Sequence, residues 1–373
     1  MLNKMLNVNS SVTLPKLEFD TLLTSLRELG YQTVGPRVRD ESNVYAEVEK
    51  LDDLPRGYMS EQGPASFRLV PGGNNRYFDA IPGAQSWKQF LFPPRTHLFS
   101  AEKIERWTIK SNQETPPRYA LIGVRGCELA AIEIQDRAFL RADFRDPIYR
   151  ARRERLFILA VNCLHPAGTC FCASMETGPK VRGGYDLCLT ELDDVFLVEI
   201  GSELGRDVLS HCQYEPASGF VQSAAEKGLE RATGEMGRTL QLDDLPSLLT
   251  DNLELEHWDE VAKRCLSCAN CTQVCPTCFC WDAVDHTDLL ARNTSRERLW
   301  DSCFNPQYSY VFGGTTRSNI KSRYRQWLTH KLGAWKEQFD TYGCTGCGRC
   351  ITWCPEGIDL TEEVAALREE IKA

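Results

Sequence analysis

The sequence predicts an α+β protein, in which an N-terminal mixed α/β domain with a small parallel sheet precedes a C-terminal α-helical domain. Short apolar runs alternate with helical patterns over residues 118–215. A polar segment follows over residues 216–255, and two cysteine-rich runs lie in residues 256–373. We therefore expect one domain at residues 1–215 and another at 256–373, joined by a connector.

Length and composition limit the possible classes of protein. The chain has 373 residues, a net charge of −9, 42% hydrophobic residues and 25% charged residues, which is ordinary for a globular protein of two or three domains. The negative charge and the lack of a Lys/Arg-rich tract argue against a nucleic-acid partner. No apolar run is long enough to span a membrane, and Met1–Ser10 has no apolar core, so no signal peptide is expected.

The first hundred residues predict secondary structure but contain no motif that points to a chemical function. Leu17–Leu29 has apolar residues at helical spacing and is followed by Gly30, which predicts an amphipathic helix. Residues 52–100 are rich in proline, glycine and aromatic residues, which indicates loops and short strands.

Three short apolar runs predict the strands of the parallel sheet. They are Tyr119–Val124, Leu156–Val161 and Val195–Ile200, and a helical pattern over Glu128–Leu140 follows the first. No glycine-rich phosphate-binding motif follows any of them, so the sequence predicts no nucleotide site here. A purely structural α/β scaffold is the alternative for this segment.

Two cysteine runs define the C-terminal domain. Cys265–Pro276 and Cys344–Pro355 both have the spacing C-x2-C-x2-C-x3-C-P of bacterial ferredoxins. Three thiolates of each run face one cluster, and the fourth cysteine reaches the other cluster. The spacing predicts one [4Fe-4S] cluster held by Cys265, Cys268, Cys271 and Cys354, and a second held by Cys344, Cys347, Cys350 and Cys275. The alternatives are inert thiols or structural zinc, although zinc prefers two separated pairs of ligands.

A third set of thiols belongs to the predicted sheet. Cys127 follows the first strand, Cys163 follows the second, and the second loop continues to Cys170 and Cys172. Because parallel strands end at the same edge of a sheet, the four thiols can converge, which is enough for a third [4Fe-4S] cluster. Ordinary burial of free cysteines explains them equally well. Two further cysteines are interpreted as plain thiols without a ligand role: Cys188 and Cys212.

A short repeat leaves two thiols without a cluster. Thr277–Cys280 repeats the tetrapeptide Thr169–Cys172, and its thiols, Cys278 and Cys280, exceed the needs of the two cubanes. We interpret them as packing or hydrogen-bonding around a cluster. Ligation of something additional is the alternative, and a high cysteine count of this kind is typical of a reducing cytosol.

Helices are expected around the two runs. Apolar spacing predicts them at Trp258–Lys263, Ser295–Trp300 and Asn319–Trp335, and a capping-box-like start at Asp359 introduces a C-terminal helix. These helices predict a helical two-cluster ferredoxin domain. The basic residues of the third helix, which include Lys321, Arg323, Arg325, His330 and Lys331, are interpreted as a solvated face, with docking of an acidic partner as the alternative.

The order of these motifs resembles the β subunit of cytosolic, NADP(H)-linked [NiFe]-hydrogenases, also called sulfhydrogenases or sulfur reductases, and the related A-type subunit of anaerobic sulfite reductases. At Gly126–Glu128 the chain departs from the Pro-Cys-Asp of that pattern. The resemblance rests on the following segments: Ser86–Pro94, Gly123–Cys127, Asn162–Pro166, Thr169–Met175, Gly184–Leu187, Thr190–Asp194, Cys265–Cys280, Gly313–Gly314, Arg317 and His330–Lys331.

The resemblance implies a cytoplasmic, non-catalytic iron–sulfur subunit of an oxidoreductase complex. Its partners would be the hydrogenase large and small subunits and an FAD- and NADP(H)-binding subunit, between which it relays electrons, with no membrane partner. The first alternative is the A-type subunit of an anaerobic sulfite or sulfur reductase that acts on sulfite, polysulfide or a disulfide, which the surplus thiols favour. The second alternative is a structural zinc-binding scaffold.

Overall fold

The structure, a computed structural model, describes residues 6–111, 115–141 and 143–372. The expectation of no signal peptide rests partly on residues 1–5, which lie outside these ranges. Within the described ranges, no helix combines the length and apolar character needed to cross a membrane.

Strands occur throughout the chain, up to residue 315. In chain order they are β1 (Ser11–Pro15), β2 (Gln32–Arg39), β3 (Ser42–Glu47), β4 (Tyr58–Gly63), β5 (Ser66–Pro71), β6 (Arg95–Lys103), β7 (Trp107–Ser111), β8 (Tyr119–Arg125), β9 (Phe157–Val161), β10 (Leu187–Glu191), β11 (Val195–Ile200), β12 (Glu215–Pro216), β13 (Trp281–Thr287), β14 (Asn293–Trp300), β15 (Tyr310–Val311) and β16 (Gly314–Thr315).

The helices become denser toward the C-terminus. In chain order they are α1 (Phe19–Glu28), α2 (Lys88–Leu91), α3 (Gly126–Phe139), α4 (Pro147–Arg153), α5 (Glu203–Leu209), α6 (Gly219–Gly234), α7 (Leu245–Asp251), α8 (His257–Arg264), α9 (Asn270–Gln273), α10 (Ile320–Thr329), α11 (Trp335–Phe339), α12 (Arg349–Thr352) and α13 (Leu360–Lys372), with a π-helical turn at His330–Ala334 and 3₁₀ turns at Lys16–Glu18 and Leu51–Asp53.

The main sheet has eight strands in the order β12-β1-β11-β10-β9-β8-β2-β3. Strands β2, β8, β9 and β10 are parallel neighbours, so the predicted parallel sheet is present inside a larger mixed one. Val195–Ile200 is a strand with the predicted bounds, but it pairs antiparallel to β10, with Leu187 opposite Ile200. Only a short turn joins β10 to β11, and a parallel crossover needs about a dozen residues or more.

Both faces of the parallel strands are buried, which explains their continuous apolar sequences. On one face, Phe19 and Leu22 of α1 pack against Ile122 and neighbouring strand residues. On the other face, Trp87 and Leu129 belong to a second core. The carboxyl ends of β8 and β9 consequently emerge at one edge of a rigid layer.

A second sheet joins distant parts of the chain in the order β13-β14-β6-β7. The predicted helix at Ser295–Trp300 is wrong, because this segment lies in β14, with Ser295 opposite Ser100 of β6. Strand β14 obtains backbone hydrogen bonds from β13 on one side and β6 on the other, and this long-range pairing overrides its local helical pattern.

The C-terminal domain is built around helices, as predicted. Trp258 of α8, Trp327 of α10 and Leu360 of α13 share one apolar core. The predicted helix at Asn319–Trp335 is present, interrupted by the π-helical turn at its C-terminal end. Residues 216–255 contain α6 and α7, and α7 packs into this same core.

Candidate metal centres

The first candidate centre, site A, is the group Cys265, Cys268, Cys271 and Cys354. These four cysteines line one cavity, together with the aromatic rings of Phe304, Tyr324 and Trp327. Cys268 is exposed, whereas the other three are partly buried. Site A therefore lies close to the surface of the helical region, and three aromatic side chains line part of its cavity.

The second candidate centre, site B, is the group Cys275, Cys344, Cys347 and Cys350. The four thiols line a second cavity, deeper than site A, which Phe171 also contacts. Burial raises the pKa of Cys344 to about 12. Between them the two cavities are lined by all eight cysteines of the two runs, and Cys350 lines both.

The two cysteine runs adopt the same local conformation. The residues two and four positions after the first cysteine have positive φ in both copies: Ser267 (52°) and Ala269 (66°) in one, Gly346 (65°) and Gly348 (73°) in the other. In each run the first of these residues donates its backbone N–H to the preceding thiol at 3.4 Å, which turns the loop around the sulfur. The left-handed turns cost energy at Ser267 and Ala269 but little at the glycines.

The glycines of the second run are required by packing as well. A Cβ atom on Gly346 would lie 2.6 Å from the backbone of Phe171, and one on Gly348 would lie 2.3 Å from the Thr169 carbonyl oxygen. The Thr169–Cys172 segment therefore packs directly against the backbone of the second cysteine run. This close approach brings the α/β domain against site B.

The third candidate centre, site C, is the group Cys127, Cys163, Cys170 and Cys172. The structure brings all four thiols to one cavity at the edge of the main sheet. Burial raises the pKa of Cys127 and of Cys172, and the neighbouring thiols raise them further. The parallel order of β8 and β9 places Cys127 and Cys163 at the same edge, and the loop after β9 contributes Cys170 and Cys172.

Two buried arginines, Arg125 and Arg349, line the cavity of site C. Arg125 donates to Cys163 Sγ at 2.9 Å and to the Ala80 carbonyl at 2.9 Å. Arg349 also lines the cavity and pairs with Glu128 at 2.6 Å. Both guanidiniums are buried, so their positive charges act on the thiols with little screening by water.

The three sites lie in a row. Cys350 lines the cavities of both site A and site B. Cys347 lines the cavities of both site B and site C. Site B therefore lies between sites A and C, and its cavity shares one lining cysteine with each of them.

Lys331 is a functional candidate that the sequence analysis assigned wrongly to a solvated face. It is buried, and its Nζ donates to Cys275 Sγ at 3.3 Å, to Thr277 Oγ1 at 3.0 Å and to the Gly343 carbonyl at 2.8 Å. Burial alone would lower the pKa of Lys331, but the adjacent thiolates, Cys275 first, raise it well above its usual value. Lys331 follows Trp327 by four residues, so helical spacing already places it on the apolar stripe.

A last group of thiols lies beside sites A and B. Cys278 and Cys280 precede β13, and Cys303 follows β14, so the hairpin brings them to its open end. A hydrogen bond from the Cys278 thiol, together with Lys331, lowers the pKa of Cys275 well below its usual value despite burial. Sequence reasoning missed Cys303, because only the pairing of β13 with β14 connects it to Cys280.

Comparison with known proteins relates the chain to one family and to one relative named here. Residues 264–358 match the family described as 4Fe-4S dicluster domain. The chain is 29% identical, over 94% of its own length and 96% of the relative's, to the Sulfhydrogenase 2 subunit beta of Pyrococcus furiosus. No solved structure matches.

These findings confirm the resemblance and the pair of clusters that the sequence predicts. The matched residues 264–358 include all eight cysteines of sites A and B, and a dicluster domain indicates two [4Fe-4S] clusters. The similarity to the Pyrococcus protein extends over the N-terminal sheet region and the C-terminal helical region alike. The chain is therefore an iron–sulfur electron-transfer protein that contains a 4Fe-4S dicluster domain and resembles the β subunit of a sulfhydrogenase.

Proposed function

We propose that this chain relays electrons within a soluble [NiFe]-hydrogenase complex, between the small subunit of the hydrogenase and a flavin- and NADP(H)-binding subunit. Sites A and B would each hold one [4Fe-4S] cluster through their four cysteines. The observation that carries the proposal is the row of sites, in which neighbouring cavities share Cys350 and Cys347. Each cluster, when bound, takes up and releases one electron.

The residues around the sites support a relay more than a zinc scaffold. The cysteines of sites A and B come from two runs with ferredoxin spacing, whereas structural zinc prefers two separated pairs of ligands. The protein would fix the distances between sites by packing the cysteine runs against Phe171 and the shared apolar core.

We further propose that site C holds a third [4Fe-4S] cluster. Four thiols converge there on one buried cavity, and the buried guanidinium of Arg125, which donates to Cys163 Sγ at 2.9 Å, would offset part of the negative charge of the thiolates. Site C would then form the end of the relay on the side of the α/β domain.

The iron content tests the third cluster. We expect about twelve irons per chain in anaerobically prepared protein and about eight in C170S, because the serine removes one ligand of site C. The matched control is C188A, since Cys188 is buried in β10 and lines none of the three sites. Iron contents near eight in both C170S and the wild-type chain would contradict a third cluster.

Lys331 is expected to tune the middle site. Its charge is buried and lies 3.3 Å from a site B thiol, so it would stabilise the reduced, more negative state of a cluster there. K331M should lower the midpoint potential of that cluster, on the order of 100 mV for a unit charge at an effective dielectric constant of about 20. A potentiometric titration followed by electron paramagnetic resonance measures the shift, and K336M, at an exposed lysine of α11, is the control. An unchanged potential in K331M would show that the ammonium does not act on the cluster.

Co-purification tests the proposed partners. An affinity-tagged chain, isolated without oxygen, is expected to retain hydrogenase large and small subunits together with a flavoprotein. If the chain instead belongs to a sulfite or sulfur reductase, the tagged chain should co-purify with other reductase subunits and without a hydrogenase. Hydrogen-dependent reduction of NADP⁺ by the isolated complex would then test the direction and the end points of the relay.

A further inference from the structure

Two buried hydrogen-bond donors belong to residues that line the cavity of site A. Tyr324 and Trp327 of α10 line this cavity together with Phe304 and the site A cysteines. The Tyr324 hydroxyl and the Trp327 indole N–H are shielded from water, and neither has a hydrogen-bond partner among the residues that the structure describes. A buried donor without an acceptor destabilises a fold, so each one in a native protein requires an explanation.

Other indole N–H groups of the protein do have acceptors. Trp258, which belongs to the same apolar core as Trp327, donates to the Asn252 carbonyl at 2.9 Å. Trp300 donates to the Phe92 carbonyl, also at 2.9 Å. Because an indole N–H can only donate, Trp327 needs an acceptor that the surrounding protein does not supply. The cavity of site A is the place where such an acceptor would be bound.

Packing holds the two donors in position. Tyr324 and Trp327 are three residues apart, which places them on one face of α10, and their ring centroids lie 5.5 Å apart. Phe304 packs against both rings, at centroid distances of 6.4 Å and 6.1 Å. Burial, the Glu363 carboxylate and then the nearby thiols raise the pKa of Tyr324 well above its usual value, so the hydroxyl keeps its proton. The donors are therefore fixed before anything binds in the cavity.

The acceptors that a cluster at site A would offer are sulfur atoms. A bound [4Fe-4S] cluster presents its sulfides and the thiolates that hold it, and hydrogen bonds to these sulfurs help to set its reduction potential. The reduced cluster carries one more negative charge than the oxidised cluster. A donor beside the sulfurs therefore stabilises the reduced state more, because hydrogen bonds to charged acceptors are stronger.

We propose that Tyr324 and Trp327 donate hydrogen bonds to sulfur atoms of the site A cluster and thereby raise its reduction potential. The inference rests on the proposed function, which places a cluster at site A. The two residues hold no iron and act only through the sulfurs, so they are positioning residues rather than ligands. With them, site A accepts an electron more readily than the same four cysteines would in a cavity without donors.

Removal of each donor, with an aromatic ring kept in place, tests the proposal. Y324F removes one oxygen atom, and W327F removes the indole N–H. In each variant the equilibrium constant for reduction of site A should fall about tenfold, which lowers the potential of a one-electron couple by about 59 mV. A potentiometric titration of the anaerobic full-length chain, followed by electron paramagnetic resonance, measures the shift, and the signal that is lost in C268S identifies site A. The control is W258F, which removes an N–H that already has an acceptor and should leave the potential unchanged.

Exchangeable hydrogens give a second measurement. In full-length chain loaded with iron and sulfide in D2O, pulsed electron paramagnetic resonance should detect deuterons coupled to site A, and Y324F and W327F should each lose one such coupling that W258F retains. Should W327F fail to fold, Y324F decides alone. Unchanged potential and couplings at full iron content would overturn the proposal but leave the relay intact. A shifted potential without hydrogen-dependent NADP⁺ reduction would support the hydrogen bonds and contradict the relay, so the two failures are distinguishable.

Discussion

R349M is expected to destabilise the protein by about 3–5 kcal/mol, because it leaves a buried carboxylate without its cation. Arg349 Nη2 lies 2.6 Å from Glu128 Oε1, and both side chains are almost fully buried. Glu128 also accepts hydrogen bonds from Tyr45 Oη at 2.7 Å and Trp87 Nε1 at 3.2 Å. Those two donors are neutral, so they cannot replace the charge that the arginine supplies.

The Arg349–Glu128 ion pair also connects two parts of the fold that are far apart in the sequence. Arg349 belongs to α12 of the cluster-binding domain, whereas Glu128 belongs to α3 of the α/β domain, and Arg349 also donates to the Gly83 carbonyl at 3.2 Å. The ion pair therefore connects the second cysteine run to the edge of the main sheet at which site C lies. Its loss should loosen the junction between sites B and C as well as lower the free energy of unfolding.

Denaturant unfolding, followed by circular dichroism on protein of matched iron content, measures the effect. R231M, which removes an exposed arginine of α6, is the control and should cost well under 1 kcal/mol. The double variant E128Q/R349M should recover part of the loss, because it removes the unpaired charge together with its partner. Equal stability of R349M and R231M would show that the pair contributes little.

The parts of the site that follow from local pattern were predictable. The C-x2-C spacing predicts which thiols share a cluster, and the eight thiols of the two runs line two neighbouring cavities. Site C was predictable in position, because strand direction alone decides that Cys127 and Cys163 emerge at the same edge. In both cases the spacing of residues close together in sequence, or one topological rule, was sufficient.

The parts that depend on long-range pairing were not predictable. Strand β14 has a helical sequence pattern, and only the distant β6 and β13 make it a strand. Cys303 therefore had no connection to Cys280 before the hairpin was known. The Arg349–Glu128 pair likewise joins residues far apart in the chain, and no sequence pattern links an arginine inside a ferredoxin-like run to a glutamate at the start of another helix.

C347S is expected to abolish electron flow through the chain while leaving the end sites filled. Cys347 lines the cavity of site B and also that of site C, so the substitution would remove a proposed ligand of the middle cluster. The variant should lose about four irons per chain. Hydrogen-dependent reduction of NADP⁺ by the reconstituted complex should fall to the level measured without this chain.

Two comparisons make the result specific to the relay. Hydrogen oxidation with an artificial acceptor that takes electrons directly from the hydrogenase should be unaffected, because that assay bypasses this chain. C268S would remove a proposed ligand of site A, where Cys268 is exposed, and should lose a similar amount of iron. Normal NADP⁺ reduction by C347S, at a verified loss of iron, would mean that electrons do not pass through the middle site, and the proposed order of sites would be wrong.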